Sequence, residues 1–286
     1  MHLRKPRATM GVFRSGMVKL SRMLSLRAKA EFFEQGYLVL PAFYAAADVL
    51  EMRLAFSRLE QRARQLPSSQ TVEGSLFVIN RQHDLLRIER IVWCGAAEPA
   101  LGDLGRTPPL LRAMAQLLEA PVLDQLINQA HIKRPGDRVA FSYHQDSYHR
   151  RYGTDLFQDV NGRGSFVQAL TAIDPMGPDN GGLWLVPESH RRGHIPTSDG
   201  RLPETSFDQA SAVPVVLAPG DTLLLSPFTI HGSDSNRGSQ PRRLFINGFC
   251  CPDANRREYP GAGTGMRLRV FDSSEALARS YDQASA

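Results

Sequence analysis

Cysteine is scarce in this chain of 286 residues: Cys94, Cys250 and Cys251 are the only three. They cannot build a disulfide framework, and none has the Cys-x-x-Cys spacing of a structural zinc site. A reducing compartment is the expectation. Long apolar runs are missing as well; nothing approaches the roughly 18 residues that cross a bilayer. Lysine is nearly absent, with Lys5, Lys19, Lys29 and Lys133 against 30 arginines. That skew points to a GC-rich, bacterial genome. Acids are missing from residues 1–30, which hold eight Lys/Arg. Beyond them, 26 basic residues face 29 acidic ones. The formal charge of +5 therefore sits in the N-terminal segment. The mildly acidic body excludes a broad nucleic-acid-binding face. With 42% hydrophobic and 22% charged residues, the composition is that of an ordinary globular protein.

Residues 1–24 read as a basic tail, and 25–286 as one domain. The tail has no compact apolar core of a secretory signal. An organelle transit peptide shares its composition, and stands as the alternative to a cytoplasmic protein. Residues 25–36 have a helical pattern that Gly36 stops. Tyr37–Leu40 is a short apolar strand. Residues 45–66 predict an amphipathic helix with Val49, Leu50, Met52, Leu54, Phe56 and Leu59 as its buried stripe. Residues 108–130 read as helix broken by Pro121. After that, short apolar runs alternate with turn residues: 166–173, 182–186, 212–217, 222–225 and 244–249. Short strands at this spacing indicate a β-sandwich or barrel. Helices first and strands later point to a helical layer packed on a β core.

The stretch Phe141–His149 carries the chemistry. In an extended chain, side chains two apart share a face, so His144 and Asp146 converge while Gln145 points away. One imidazole and one carboxylate leave most of a metal's positions open. The best third ligand is His231, just after the apolar strand 222–225. Two histidines and one carboxylate on one face make the facial triad of non-haem Fe(II) oxygenases. Arg242 follows 11 residues later and opens the run 244–249. Oxygenases that consume a keto-diacid need a fixed cation for its distal carboxylate, and the planar, always-charged guanidinium suits this. Arg243 should face the opposite way.

With these pieces in place, the chain resembles the phytanoyl-CoA dioxygenase family of Fe(II)/2-oxoglutarate-dependent oxygenases. The matching pieces run in order over residues 30–260. They are "EFFEQGYLVLPAF" (31–43), "HQD" (144–146), "DNGGLWLVPESHRRGH" (179–194) and "LAPGDTLLLSPFTIHGSDSN" (217–236), followed by Arg242. Glu188 departs from the family's usual glycine. The resemblance implies a mainly β fold with packed helices, the double-stranded β-helix or cupin-like jelly roll. It also implies Fe(II) as cofactor, with 2-oxoglutarate and dioxygen as co-substrates. Hydroxylation of a small molecule, in secondary or lipid metabolism, would be coupled to decarboxylation of 2-oxoglutarate to succinate. Related halogenases lack the iron carboxylate; Asp146 is retained, so halogenation is not the expected outcome.

The family places a serine at position 233 against the 2-oxoglutarate carboxylate, although Ser233 is equally placed to be a turn hydroxyl. It also draws a second carboxylate contact from a strand like 85–92, where Arg90 stands. Gln129, His131 and Lys133 alternate, so one face of that segment lines a co-substrate pocket; Lys133 itself is expected in solvent. His190 reads as a turn residue and His194 as exposed. The segment 147–165 should stand at the mouth of the site. Its Tyr148, His149, Arg150 and Arg151 are the candidates for contact with an anionic substrate, as part of a lid; the competing reading is a solvated loop whose arginines pair with Asp155 and Asp159. Alternatives are desaturation, epimerisation or ring formation at the same iron, a silent barrel that only binds ligand, and a cupin-like enzyme that works without 2-oxoglutarate. Neither the substrate nor the oligomeric state is legible.

Overall fold

The computed structural model describes residues 23–82 and 85–283. The basic tail lies almost wholly outside the described residues. Seven helices are described: α1 (Leu26–Gln35), α2 (Ala46–Gln65), α3 (Cys94–Ala97), α4 (Pro99–Leu104), α5 (Pro108–Leu118), α6 (Asp146–Arg150) and α7 (Ser274–Gln283). The strands up to the middle of the chain are β1 (Tyr37–Leu40), β2 (Gln70–Val72), β3 (Ser75–Gln82), β4 (Leu85–Val92), β5 (Val122–Lys133) and β6 (Phe141–His144). The later ones are β7 (Phe166–Ala172), β8 (Leu183–Leu185), β9 (Val213–Pro214), β10 (Thr222–Leu225), β11 (His231–Ser233), β12 (Arg242–Cys250) and β13 (Met266–Arg269). Among the described residues no helix is long and apolar enough to cross a membrane.

The strands form two antiparallel sheets. The larger runs β1-β10-β7-β12-β5-β4-β3-β2, with β13 added beside β5; the smaller runs β6-β11-β8-β9. This is the mainly β, helix-covered jelly roll anticipated above. Strand β12 lies at its centre, paired with β5 on one side and β7 on the other. The two-residue alternation of a strand sorts its side chains. Arg242, Leu244 and Ile246 face the cavity between the sheets. Phe245 points outward and meets Phe56 of α2 edge-on, with ring centroids 6.5 Å apart. Strand β5 repeats this: Ile127, Gln129 and His131 face the cavity, whereas Ala130 and Ile132 pack in the cluster beneath α2.

The helix ends follow from local chemistry. The Ser25 hydroxyl accepts from the Ala28 N–H at the start of α1, and Gly36 closes it with φ +83°. A Cβ on Gly36 would stand 2.4 Å from Nδ1 of His190, so only glycine fits.

Several elements differ from the sequence reading. Residues 122–130 are strand, not helix. Pro121 follows the end of the helix, and the backbone beyond it pairs with β12, β4 and β13. In α2 the buried stripe is Val49, Met52, Ala55, Phe56, Leu59 and Ala63. Leu50 and Leu54 are 57% and 54% exposed, because at 100° per residue they fall outside that stripe. Asp146 is not in a strand: β6 ends at His144, and Asp146 begins the turn of α6. Gln145 is still extended, so the two ligands converge as expected.

Candidate metal centre and its cavity

His144 and His231 oppose each other across the β6–β11 pair, His231 being flanked on its other side by Leu185 of β8. Their ring centroids are 4.3 Å apart. The Nδ1 of His144 is 2.7 Å from the Ser142 carbonyl, and that of His231 is 2.9 Å from the Thr229 carbonyl. A carbonyl oxygen only accepts, so both Nδ1 atoms carry the proton and both Nε2 lone pairs are free for a metal. Asp146 brings a carboxylate oxygen 3.8 Å from Nε2 of His231. One donor atom from each of the three residues lies within 4.8 Å of the others.

The surroundings hold this set in its ligating form. Burial, then the His231 ring close by, pushes His144 down to about 4. Burial alone would raise Asp146, but His231, His144, His149 and Arg150 outweigh it and hold the carboxyl below its usual range. Gln168 donates from its amide to the Asp146 carboxylate and fixes its orientation. Gln145, facing away, donates to the carbonyls of Gly193 and Phe228 and accepts from the Ile195 N–H, which ties the Asp146 turn to the neighbouring loops.

The triad opens into a cavity of about 280 Å³. Arg242 forms part of its wall, 3% exposed, with Nη2 donating to the Gly181 carbonyl at 2.7 Å and Nε without a partner. Burial pushes it down to about 10, so it remains a cation at neutral pH. Arg243 faces the other way and forks onto Asp174 at 2.7 and 2.8 Å. Ser233, Gln129, His131 and Arg90 also line the cavity. His131 is 3.0 Å from the Gln129 amide oxygen. Burial and the cations Arg90, Arg242 and Lys133 push it down to about 3, leaving it neutral.

Lys133 is not in solvent. It is 2% exposed, and Nζ donates to the Ser233 hydroxyl at 2.7 Å and to the carbonyls of Gly181 and Asp234 at 3.3 and 2.5 Å. It opposes Arg242 across the β5–β12 ladder. Burial, then Arg242, pushes it down to about 6, yet three oxygen acceptors around Nζ match the three donors of an ammonium. Two basic side chains thus share one buried corner. The Ser233 hydroxyl accepts from Lys133, so its own proton is free to turn toward the cavity.

Of the four residues singled out in segment 147–165, His149 and Arg150 reach the cavity. Tyr148 and Arg151 do not: the Tyr148 hydroxyl donates to the Ser198 carbonyl at 3.3 Å, and the exposed Arg151 lies over the Tyr148 ring. The rest of the segment is pinned by Gln158 N–H to the Ala254 carbonyl and by Arg256 N–H to that of Leu156. His190 bonds the Phe33 carbonyl as a turn residue, and His194 bonds Ser147 rather than standing free. Sequence reasoning missed Gln168, Arg257 and Tyr259, which complete the lining. They reach it from β7 and from a loop far along the chain, and no local pattern marks them.

Comparison with known proteins agrees with this architecture. "Dioxygenase cdmD" of Talaromyces verruculosus is 30% identical over 125 residues, 43% of this chain and 38% of that protein. "Methylphosphonate hydroxylase" of Gimesia maris is 37% identical over 95 residues, 32% of this chain and 36% of that protein. The matches therefore span little more than a third of these relatives. The crystal structure of EvdO2 from Micromonospora carbonacea var. aurantiaca complexed with 2-oxoglutarate superposes with a TM-score of 0.61 at 23% identity, covering 85% of this chain and 97% of that one, and shows the same fold. The family model of phytanoyl-CoA dioxygenase (PhyH) matches residues 32–244, and this chain belongs to that family.

Proposed function

We propose that residues 25–286 form one oxygenase domain that uses Fe(II), 2-oxoglutarate and dioxygen to hydroxylate a small molecule. The observation that carries the reading is the pairing of a three-donor, open-sided metal set with a buried guanidinium on the wall of the same cavity. The donor chemistry fits iron. Two neutral imidazoles and one carboxylate leave three positions open, whereas zinc favours a closed tetrahedral set or three ligands and a water. When bound, iron supplies the redox chemistry that couples decarboxylation of 2-oxoglutarate to oxygen insertion into a C–H bond. The protein's part is positioning. His144, Asp146 and His231 hold the metal, and Gln168 keeps the carboxylate turned toward it. Arg242 and Ser233 take the distal carboxylate of 2-oxoglutarate, and Arg90 is placed for a second contact. The orphaned Nε of Arg242 is the donor such a carboxylate would satisfy. Retention of Asp146 argues against halogenation.

Arg150 and Arg257 on the cavity wall favour a substrate with an anionic group, and the partial likeness to a protein named for methylphosphonate hydroxylation accords with that. Three free cysteines support a reducing, cytoplasmic location. The test is conversion of 2-oxoglutarate to succinate by the iron-loaded protein. Asp146→Ala should abolish it and sharply weaken metal binding. Normal turnover by that variant would sink the assignment.

A further inference from the structure

Arg150 borders the cavity at 7% exposure, yet its Nε and Nη1 have no hydrogen-bond partner. Its guanidinium lies between two rings, 5.2 Å from the centroid of Phe166 and 4.7 Å from that of Tyr259. The Tyr259 hydroxyl is also buried without a partner. Arg257 approaches the same ring at 4.8 Å and commits one donor to the His149 carbonyl at 2.7 Å. Among the described residues neither Arg150 nor Arg257 makes an ion pair, whereas Arg134 and Arg243 elsewhere are matched to carboxylates. Among the described residues Asp146 is the one acid lining the cavity, and it belongs to the candidate metal set.

Ring stacking compensates the faces of a guanidinium but leaves its in-plane N–H donors empty. A buried donor set of this kind is stable only when an acceptor, preferably an anion, completes it. 2-Oxoglutarate does not supply that anion. Phe166, against Arg150, opposes Cys250 at one end of β12, and Arg242 begins the other end. Eight residues of strand separate these two backbone positions, so the two guanidinium groups enter the cavity from different ends of β12. On the oxygenase reading Arg242 and Ser233 take the distal carboxylate, which leaves the donors of Arg150 and Arg257 for another group.

We propose that Arg150, Arg257 and Tyr259 form an oxyanion subsite for the primary substrate, receiving a carboxylate or a phosphate-like group borne by it. The metal set then lies between two anion sites, one for the co-substrate and one for the substrate. This rests on the oxygenase reading of the cavity, and defines the substrate class for it.

The experiment uses the full chain loaded with Ni(II), which supports no turnover. Calorimetric titration with 2-oxoglutarate comes first; failure to bind there counts against the oxygenase reading itself. The saturated protein is then titrated with inorganic phosphate and, separately, with acetate. The expected result is saturable uptake of one anion per chain, weakened at least tenfold by Arg150→Met, which keeps the stem between the rings, and by the less buried Arg257→Gln. Preference for phosphate marks a phosphorylated or phosphonate substrate, and preference for acetate a carboxylic acid. The proposal is overturned if wild type takes up neither anion, or if Arg257→Gln binds as wild type does.

Discussion

Arg242 and Arg243 are sequence neighbours in opposite surroundings, and the difference can be measured. Arg242 borders the cavity with a donor unfilled, so on the oxygenase reading its loss removes a desolvated carboxylate partner worth roughly 2–5 kcal/mol. Arg242→Ala should raise the 2-oxoglutarate requirement on the order of tenfold to a thousandfold, read from the KM for that co-substrate. Arg243→Ala should leave that KM nearly unchanged and instead destabilise the fold by about 3 kcal/mol, because Asp174 loses its forked partner in a largely buried pair; denaturant midpoints distinguish the two. Lys133 gives a pH signature. With no anion bound it is pushed down to about 6, and a dianion beside it favours the ammonium. Binding of 2-oxoglutarate should then take up a proton, so affinity should fall as pH rises above about 6. Titrations at several pH values should show that slope, and Lys133→Met should flatten it. The HxD…H…R pattern was legible because each residue type has one strong chemical reason to be there. The burial of Lys133 was not, since it depends on the carbonyls of Gly181 and Asp234, which come from other segments.

Elements were legible where the cue was local and hidden where it came from a neighbour. Ser25 and Gly36 announced both ends of α1, and the run Tyr37–Leu40 announced a strand. The segment 122–130 reads as helix because the apolar residues of this central strand answer to helices packed on one face and the cavity on the other rather than to one period. The apolar pattern of 45–66 places Leu50 and Leu54 in the buried stripe, but at 100° per residue they fall outside it and are exposed. The irregularity in the β6–β11 register, which lets Phe141 and His144 both face the cavity, has no sequence mark at all. One junction links these elements to the metal set. The Gly36 carbonyl accepts from the Thr229 hydroxyl at 2.7 Å and from the Ser226 N–H at 3.0 Å, and the Thr229 carbonyl in turn holds His231. Gly36→Ala should cost about 1–2 kcal/mol from the left-handed backbone alone, and more because its methyl would meet both His190 and Thr229. A lower melting temperature together with weaker metal binding is the expected result; loss of one without the other would uncouple the junction from the ligand.

Two buried histidines contribute to the response of the fold to acid. His131 and His144 stand at about 3 and about 4, against an ordinary value near 6.5. Between those limits the unfolded chain binds more protons than the folded one, so their contribution to stability is fully present above about 6.5 and is lost as pH falls toward 4 and 3. Metal-free protein melted across pH 7 to 4 should show this decline. Adding Ni(II) should raise the melting temperature at pH 7, since a ligand at 100 times its dissociation constant stabilises by about 2.7 kcal/mol. The jelly roll was legible as a class, from helices first and short strands later; its strand order was not, because β12 pairs with strands more than 100 residues earlier and about 75 residues earlier. That order has a consequence for synthesis on the ribosome. His144 and Asp146 emerge well before His231, and β11 must pair with β6 and β8 while Thr229 engages Gly36 before the three donors face one another. A nascent chain therefore presents no complete iron site until most of its length has been made. On the oxygenase reading, metal capture would mark a chain whose distant parts have already met, and would keep a redox-active ion off a half-built scaffold.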